Sequence, residues 1–498
     1  MKKIKSILLG AVATMALASC SSDYLDTEYT RYLDESQASV VAKSNPDALL
    51  NGIWSYMVAF DPMGEDQSAH DIFGYMAILH ASDLGSNDIA LEGLTWFNYD
   101  YLFDNRMATY RRTINTYSFL YTLVGKANTI IASFPTEPTT TGEKGLLGQA
   151  LALRGYAYGL LIQIFQNPTA LDGSLAVERP GVPLIYTSAD GFTDDEIAKF
   201  KGRNTVGLVL AQAQKDLERS VVLLDGYDRS NKNFIDQNVA NGLLARVYLV
   251  SQEWEKAANA AKAARAGYEP MSKSALYDGF LSVDNEEWMW GFKVTSETST
   301  TYASFFSHIS SYEGGYAGLG YSVRCIDAKL YGQIPDDDAR KAWFNGKDGD
   351  PNQSMPAAQV PYANLKFGSD GDFTEDYVYM RAAEMYLIEA EALVRTGKAD
   401  EAATVLGELV KTRQPSWEKS TVTLDDVILQ RRIELWGEGF AGLDVKRLNT
   451  PIARKYEGSN HSTGCDLEIP AGAPEFTYQI PQREINENTL ISEADQNE

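Results

Sequence analysis

Two clusters of flat side chains are where this chain could do chemistry. Trp96-Phe97-Asn98-Tyr99-Asp100-Tyr101 forms one, and Tyr302, Phe305, Phe306, Tyr312, Tyr316 and Tyr321 the other. A ring packs on the C–H face of a pyranose while nearby amides and carboxylates take its hydroxyls, so rings interleaved with Asn and Asp suit sugars. The candidate ligand-binding residues are Trp96, Asn98, Tyr99, Tyr312 and Tyr316. The competing reading is that each ring fills a small core of its own loop.

Catalysis finds little support. The four histidines, His70, His80, His308 and His461, have no two at metal-ligand spacing on a helix. There is no Gly-x-Ser-x-Gly elbow, Walker loop or Cys-x-x-Cys pair. Gly315-Tyr-Ala-Gly318-Leu-Gly320 has the wrong order for a dinucleotide fingerprint. Asp348-Gly-Asp350-Pro-Asn352 begins like a calcium loop, but Gln353 stands where the turn glycine is needed and Gln359 where the closing Glu is needed. Asp370-Gly-Asp372 is similarly incomplete, and each reads as a solvated turn. No catalytic residue, metal ligand or cofactor is assigned.

The N-terminus carries a different chemistry. Lys2, Lys3 and Lys5 precede an apolar run from Ile7 to Leu17, which meets Leu17-Ala18-Ser19-Cys20. This is a secretory signal too short to span a bilayer. A cysteine directly after Leu-Ala-Ser marks a bacterial lipoprotein signal, with residues 1–19 removed and Cys20 acylated. More than one acyl chain gives durable anchoring. Residues 20–45 then read as a lipidated tether, and 46–498 as one domain outside the cytoplasm. Of the other cysteines, Cys325 and Cys465 either pair or remain buried free thiols.

The formal charge is -24, and loss of the signal leaves the body more acidic still. Such a surface argues against nucleic acid, whose binding needs Lys and Arg on phosphate. It disfavours anionic lipid and suits a neutral or cationic ligand. At 44% hydrophobic and 22% charged the chain has material for a large core.

Helical periodicity supplies the scaffold for the ring-bearing segments, and it comes in pairs. Val378 to Val394 puts Ala383, Tyr386, Leu387, Ala390 and Leu393 on one face. Gly397 caps it, and Asp400 and Glu401 open the next helix, which carries Leu406 and Leu409. A second pair runs from Val239 to Ala266, turning at Ser251–Glu255, and a third joins Tyr110–Phe134 to Gly145–Phe165. Thr205–Leu224 and Leu424–Gly437 add further amphipathic helices. The expected fold is mainly α, with tetratricopeptide-like helix pairs stacked into a scaffold. Two long insertions, about 61–105 and 281–361, lack helical period and hold the aromatic clusters. Within the second, Trp288 and Trp290 alternate as in a strand, which predicts that one of them faces the core.

Several blocks in order resemble the SusD-like (RagB/SusD) family of outer-membrane nutrient-binding lipoproteins. They begin with Cys20 and Asp23-Tyr-Leu-Asp26, then Lys126-Ala-Asn128 and Ala150-Leu-Ala-Leu-Arg154. Gly181-Val-Pro183 and Leu243-Leu-Ala-Arg246 follow, then Tyr379-Met-Arg381-Ala-Ala-Glu384 through Glu391. Arg431-Arg432-Ile-Glu434 with Glu438-Gly439, Asp444-Val-Lys446-Arg447 and Tyr478-Gln-Ile-Pro481 complete the series. Arg381 with Glu384, and Arg431 with Glu434, are three apart, a spacing that predicts pairing along one helix face. Ala441-Gly442 and Tyr117 depart from the family pattern. The resemblance implies a cell-surface protein, not an enzyme, that captures oligosaccharide and delivers it to a SusC-like TonB-dependent outer-membrane transporter. The alternatives are capture of a peptide or other nutrient by the same architecture, and a surface glycan-degrading enzyme.

Overall fold

The computed structural model describes residues 46–64, 68–134 and 137–498; the signal, Cys20 and the tether lie outside the described residues. Eleven helices carry the fold. Helices α1 (Pro46–Val58) and α2 (Tyr75–Leu84) come first. Then α3 (Arg111–Ser133), α4 (Thr141–Ile164), α5 (Val206–Leu223), α6 (Gln237–Val250), α7 (Trp254–Ala264), α8 (Ala382–Arg395) and α9 (Ala399–Val410) pack each on the next. Helices α10 (Leu424–Glu434) and α11 (Ala441–Arg447) close the body against α8 and α2 respectively. This is the expected stack of helix pairs, with one continuous apolar core along it.

Local signals set the helix ends. Thr140 and Glu143 form a capping box at the start of α4, and Thr423 and Asp426 do so for α10. Gly397, at φ 79°, ends α8 in the left-handed conformation that costs glycine nothing. Strands are short. Among the described residues they form three antiparallel pairs: β1 (Ile89–Glu92) with β3 (Val323–Ile326), β2 (Trp288–Phe292) with β4 (Tyr377–Arg381), and β5 (Ile452–Ala453) with β6 (Glu468–Ile469).

Four expectations are corrected. The period beginning at Val378 overruns a strand: β4 continues to Arg381, and α8 starts only at Ala382. Pairing with β2 takes up those backbone groups, so tertiary contact overrides local period. Trp288 and Trp290 are both fully buried, because the β2–β4 ribbon is covered on both faces. The segment 61–105 is not without helix: α2 lies in it, buried at every position except Ser82. A helix covered on all sides has no polar stripe to betray it.

The fourth correction concerns charge. Arg381 does not pair with Glu384, nor Arg431 with Glu434. Arg381 instead meets Glu287 and Glu434 through Nη1 (2.5 and 3.1 Å) and Glu438 through Nη2 (2.7 Å). Glu434 also takes Arg340 (3.1 Å) and Arg413 (2.9 Å), all fully buried. Glu384 binds Arg246 on α6, and Arg431 binds Asp444 on α11. In the interior a charge goes to the partner that completes its hydrogen bonds, whatever the helical spacing.

The two departures from the family pattern have local settings. A Cβ at Gly442 would lie 2.0 Å from the Ser82 carbonyl, so α11 can reach α2 only with glycine there. Asp83 on α2 accepts from the Gly439 and Ala441 amides at 2.7 and 2.9 Å and so fixes the start of α11. Tyr117 is buried between Tyr121 and Phe165.

Candidate ligand-binding site

The β1–β3 ribbon brings the two ring-bearing insertions together. Pairing of Glu92 with Val323 sets the loop after β1 beside the loop before β3. Gly93, at φ 86°, allows the first loop to pass within touching distance of the Tyr321 carbonyl; a Cβ there would be 2.4 Å from it. Trp96 and Tyr316 then meet edge to face, with ring centroids 6.4 Å apart.

His70, from the loop before α2, completes the group. Its ring stacks on Trp96 at 5.4 Å, and its Nδ1 lies 2.8 Å from the Tyr316 hydroxyl. Tyr321, 60% exposed, extends the surface past Tyr316 at a centroid distance of 6.4 Å. Trp96, Tyr316 and His70 are half-buried, so each presents part of a ring to solvent and anchors the rest.

The floor is fully buried. His308 stacks under Tyr316 at 4.8 Å with ring planes 6° apart, and Phe73 stacks near His308 at 5.6 Å. The Nε2 of His308 donates to the His70 carbonyl at 2.8 Å, which leaves Nδ1 as the unprotonated nitrogen. Burial, then the Arg324 guanidinium, hold both His308 and His80 well below the usual imidazole range, so the floor is neutral.

Charge sits at the rim. Arg111 lies 5.8 Å from the Trp96 centroid and pairs with Asp71 at 2.9 Å. Arg112 behind it binds both Asp71 (3.0 Å) and Asp100 (2.9 Å). Asp71 and Asp100 are thus both held by arginine. The arrangement offers flat rings, an imidazole and guanidinium donors, which is equipment for binding.

Of the candidate residues, the structure unites Trp96 and Tyr316. Asn98 opens the short helix Asn98–Tyr101, half-buried two residues past Trp96, and Tyr99 beside it is 57% exposed. Tyr312 points elsewhere: its hydroxyl donates to Gln353 at 2.8 Å. Phe305 and Phe306 are buried, so for them the loop-core reading holds. His70 was missed, as was Arg111. His70 belongs to no periodic pattern, and its scarcity in a chain with four histidines was the one available signal.

The acidic turns resolve differently. Asp350 accepts from the Asn352 amide at 2.9 Å in a self-contained turn. Asp370 instead joins Glu313 and Glu375, with one carboxylate oxygen of each within 4.8 Å of the others. Burial, then the hydrogen bond that protonated Glu375 donates to Glu313, push the Glu375 carboxyl up to about 9. Cys325 and Cys465 are both free and buried.

The family model described as "Starch-binding associating with outer membrane" matches residues 31–249, and that of the "SusD family" matches residues 355–498. Among curated proteins nothing matches the chain. A SusD-like carbohydrate binding protein from Bacteroides vulgatus ATCC 8482 is 26% identical, covering 91% of this chain and 97% of its own, with a TM-score of 0.75. A SusD superfamily protein from Bacteroides thetaiotaomicron VPI-5482 shares the fold at 21% identity, 91% and 99% coverage and TM-score 0.70. Surface glycan-binding protein A from Bacteroides fluxus shares it at 16% identity, 91% and 99% coverage and TM-score 0.66. With two models of one kind on the two ends of the chain, and solved members of that group sharing its fold almost end to end, the chain belongs to the SusD-like family.

Proposed function

We propose that this protein is a cell-surface glycan-binding lipoprotein, held by acyl chains on Cys20, that passes oligosaccharide to a SusC-like TonB-dependent transporter. The observation that carries the reading is the recess formed by His70, Trp96, Tyr316 and Tyr321. Its rings suit successive pyranose C–H faces, and the His70 imidazole and Asn98 amide suit hydroxyls. A solved relative at 26% identity is described as carbohydrate binding, and the family model on the N-terminal part refers to starch and the outer membrane. Among the described residues no helix is long and apolar enough to cross a membrane, which accords with attachment by lipid.

Asp71 and Asp100, the carboxylates behind Trp96, are held by Arg111 and Arg112, an arrangement that suits binding. Titration calorimetry against purified oligosaccharides tests the proposal, with heat expected from at least one glycan. Silence from every sugar together with binding of a peptide would replace it by peptide capture, the reading that the charge of -24 favours for a cationic peptide. Release of product from a polysaccharide by the isolated protein would make it an enzyme.

A further inference from the structure

The β1–β3 ribbon has a second end. Asp88 precedes β1 and Asp327 follows β3, and the Asp327 amide donates to the Asp88 carbonyl at 2.9 Å. A pocket of about 330 Å³ opens there, lined by both aspartates together with Lys329, Arg432, Val445 and Tyr456. Trp96 lies beyond the opposite end of the ribbon. Four residues at about 3.3 Å each put at least ~13 Å between the two places. The pocket shares no lining residue with the aromatic recess.

Its walls are amphipathic. Val445 and the Tyr456 ring supply apolar surface, and Lys329 Nζ stands 5.9 Å from the centre of that ring. Arg432 reaches Asp88 with Nε (3.0 Å) and Nη2 (2.6 Å), so two of its nitrogens are engaged. Its Nη1 makes no hydrogen bond to the described residues, and the side chain is 31% exposed. Lys329 Nζ likewise has no hydrogen bond there. Asp327 accepts from the Leu330 amide (2.8 Å) and the Tyr456 hydroxyl.

The charges balance. Asp88 matches Arg432, while Asp327, 3.4 Å from His461 Nε2, and Lys329 add one charge of each sign to the wall. Asp444, also on the wall, is taken up by Arg431 and Arg447 at 2.6 Å each. A net anion or cation therefore gains little, whereas a polyol meets charged donors, a carboxylate acceptor and an apolar face together. The volume is at the small end of ligand sites, which run from roughly 300 to 1,000 Å³.

We propose that this pocket is a second, independent carbohydrate site that takes a single neutral sugar residue against Val445 and Tyr456, with Arg432 Nη1 and Lys329 Nζ donating to its hydroxyls.

Saturation-transfer NMR on the mature chain tests this with D-glucose, D-galactose and D-glucuronate as probes, in the Trp96→Ala background so that the aromatic recess is disabled. At least one neutral hexose should still receive saturation, and its affinity should fall roughly tenfold with Arg432→Lys or Lys329→Ala, the effect of losing one charge-assisted hydrogen bond. Lys329 is exposed, so its variant carries the test even where Arg432→Lys, which keeps a cation opposite Asp88, lowers stability. The proposal is overturned by absence of saturation for both hexoses, by equal affinity in the Lys329→Ala protein, or by glucuronate binding in preference to either. Failure here with oligosaccharide binding intact in the unmutated protein would leave the aromatic recess untouched.

Discussion

The Nδ1 of His70 and the hydroxyl of Tyr316, 246 residues apart in sequence, lie 2.8 Å from each other and lock the two ring-bearing insertions together. Trp96 stacks on the same imidazole, so the recess behaves as a unit. Trp96→Ala should weaken oligosaccharide binding by about 2 kcal/mol, as for a central aromatic contact. The ring is half-buried, so the melting temperature should change little. Calorimetry beside a thermal scan checks both, and a large fall in melting temperature with unchanged affinity would make Trp96 a core residue.

Arg246 and Glu384 form a buried bidentate pair between α6 and α8, at 2.8 and 2.7 Å. Glu384→Ala leaves the guanidinium buried without its carboxylate, and should cost about 3–5 kcal/mol in urea unfolding. Glu389→Ala, on the same helix facing Arg265, a half-buried arginine, should cost clearly less.

Acid should destabilise the fold through its imidazoles. His80 and His308 are held well below their ordinary value of 6.5 by burial, then by Arg324. Above that value both folded and unfolded chains are neutral there, and stability is complete. As pH falls through 6.5 the unfolded chain takes up protons that the folded one refuses, so stability drops, by up to about 1.4 kcal/mol per unit for each histidine. Urea midpoints between pH 7.5 and 5 should show the slope. His80→Gln, which keeps an acceptor for Arg324, should flatten it.

The acid trio has the opposite sign. With its carboxyl pushed up to about 9, Glu375 stays protonated in the folded chain while the unfolded chain ionises from about pH 4.5. Its contribution to stability therefore falls as pH rises from 4.5 toward 9. Glu375→Gln keeps an acceptor for the Asp370 amide and should raise the melting temperature at pH 8 in the presence of a chelator. A lower melting temperature for the variant under those conditions would contradict this.

Burial pushes the Cys325 thiol up to about 12, and Cys465 is equally enclosed. Neither should react with Ellman's reagent in the native protein, whereas denaturation without reductant should release two thiols. Finding none would mean that they are joined.

The helix scaffold was readable in advance because apolar residues recur at helical period over long runs. Leu406 and Leu409 on α9 recur at helical period because one side of that helix meets the core, and Leu243, Leu244 and Val247 keep the same period on α6 although it is buried nearly all round. Helix α2 escaped because it spans only 10 residues and, with Met76, Ile78 and Leu79 buried alongside His80 and Asp83, shows no polar side within that short run.

The candidate site was legible by region and only partly by residue. Trp96 and Tyr316 were readable because rings beside Asn, Asp and Gly in a long insertion stand out by composition. His70 was not, because its place depends on a stack with Trp96 and a bond to Tyr316 that no spacing encodes.

Composition and periodicity by themselves determined the helix pairs, the acidic body and the two aromatic insertions, since these follow from chemistry local to a few turns of chain. Tertiary structure decided which charges pair and which rings converge. Arg381 finds Glu287 and Glu438 instead of Glu384, and Tyr316 finds His70, because burial rewards complete hydrogen bonding across the fold over proximity in sequence.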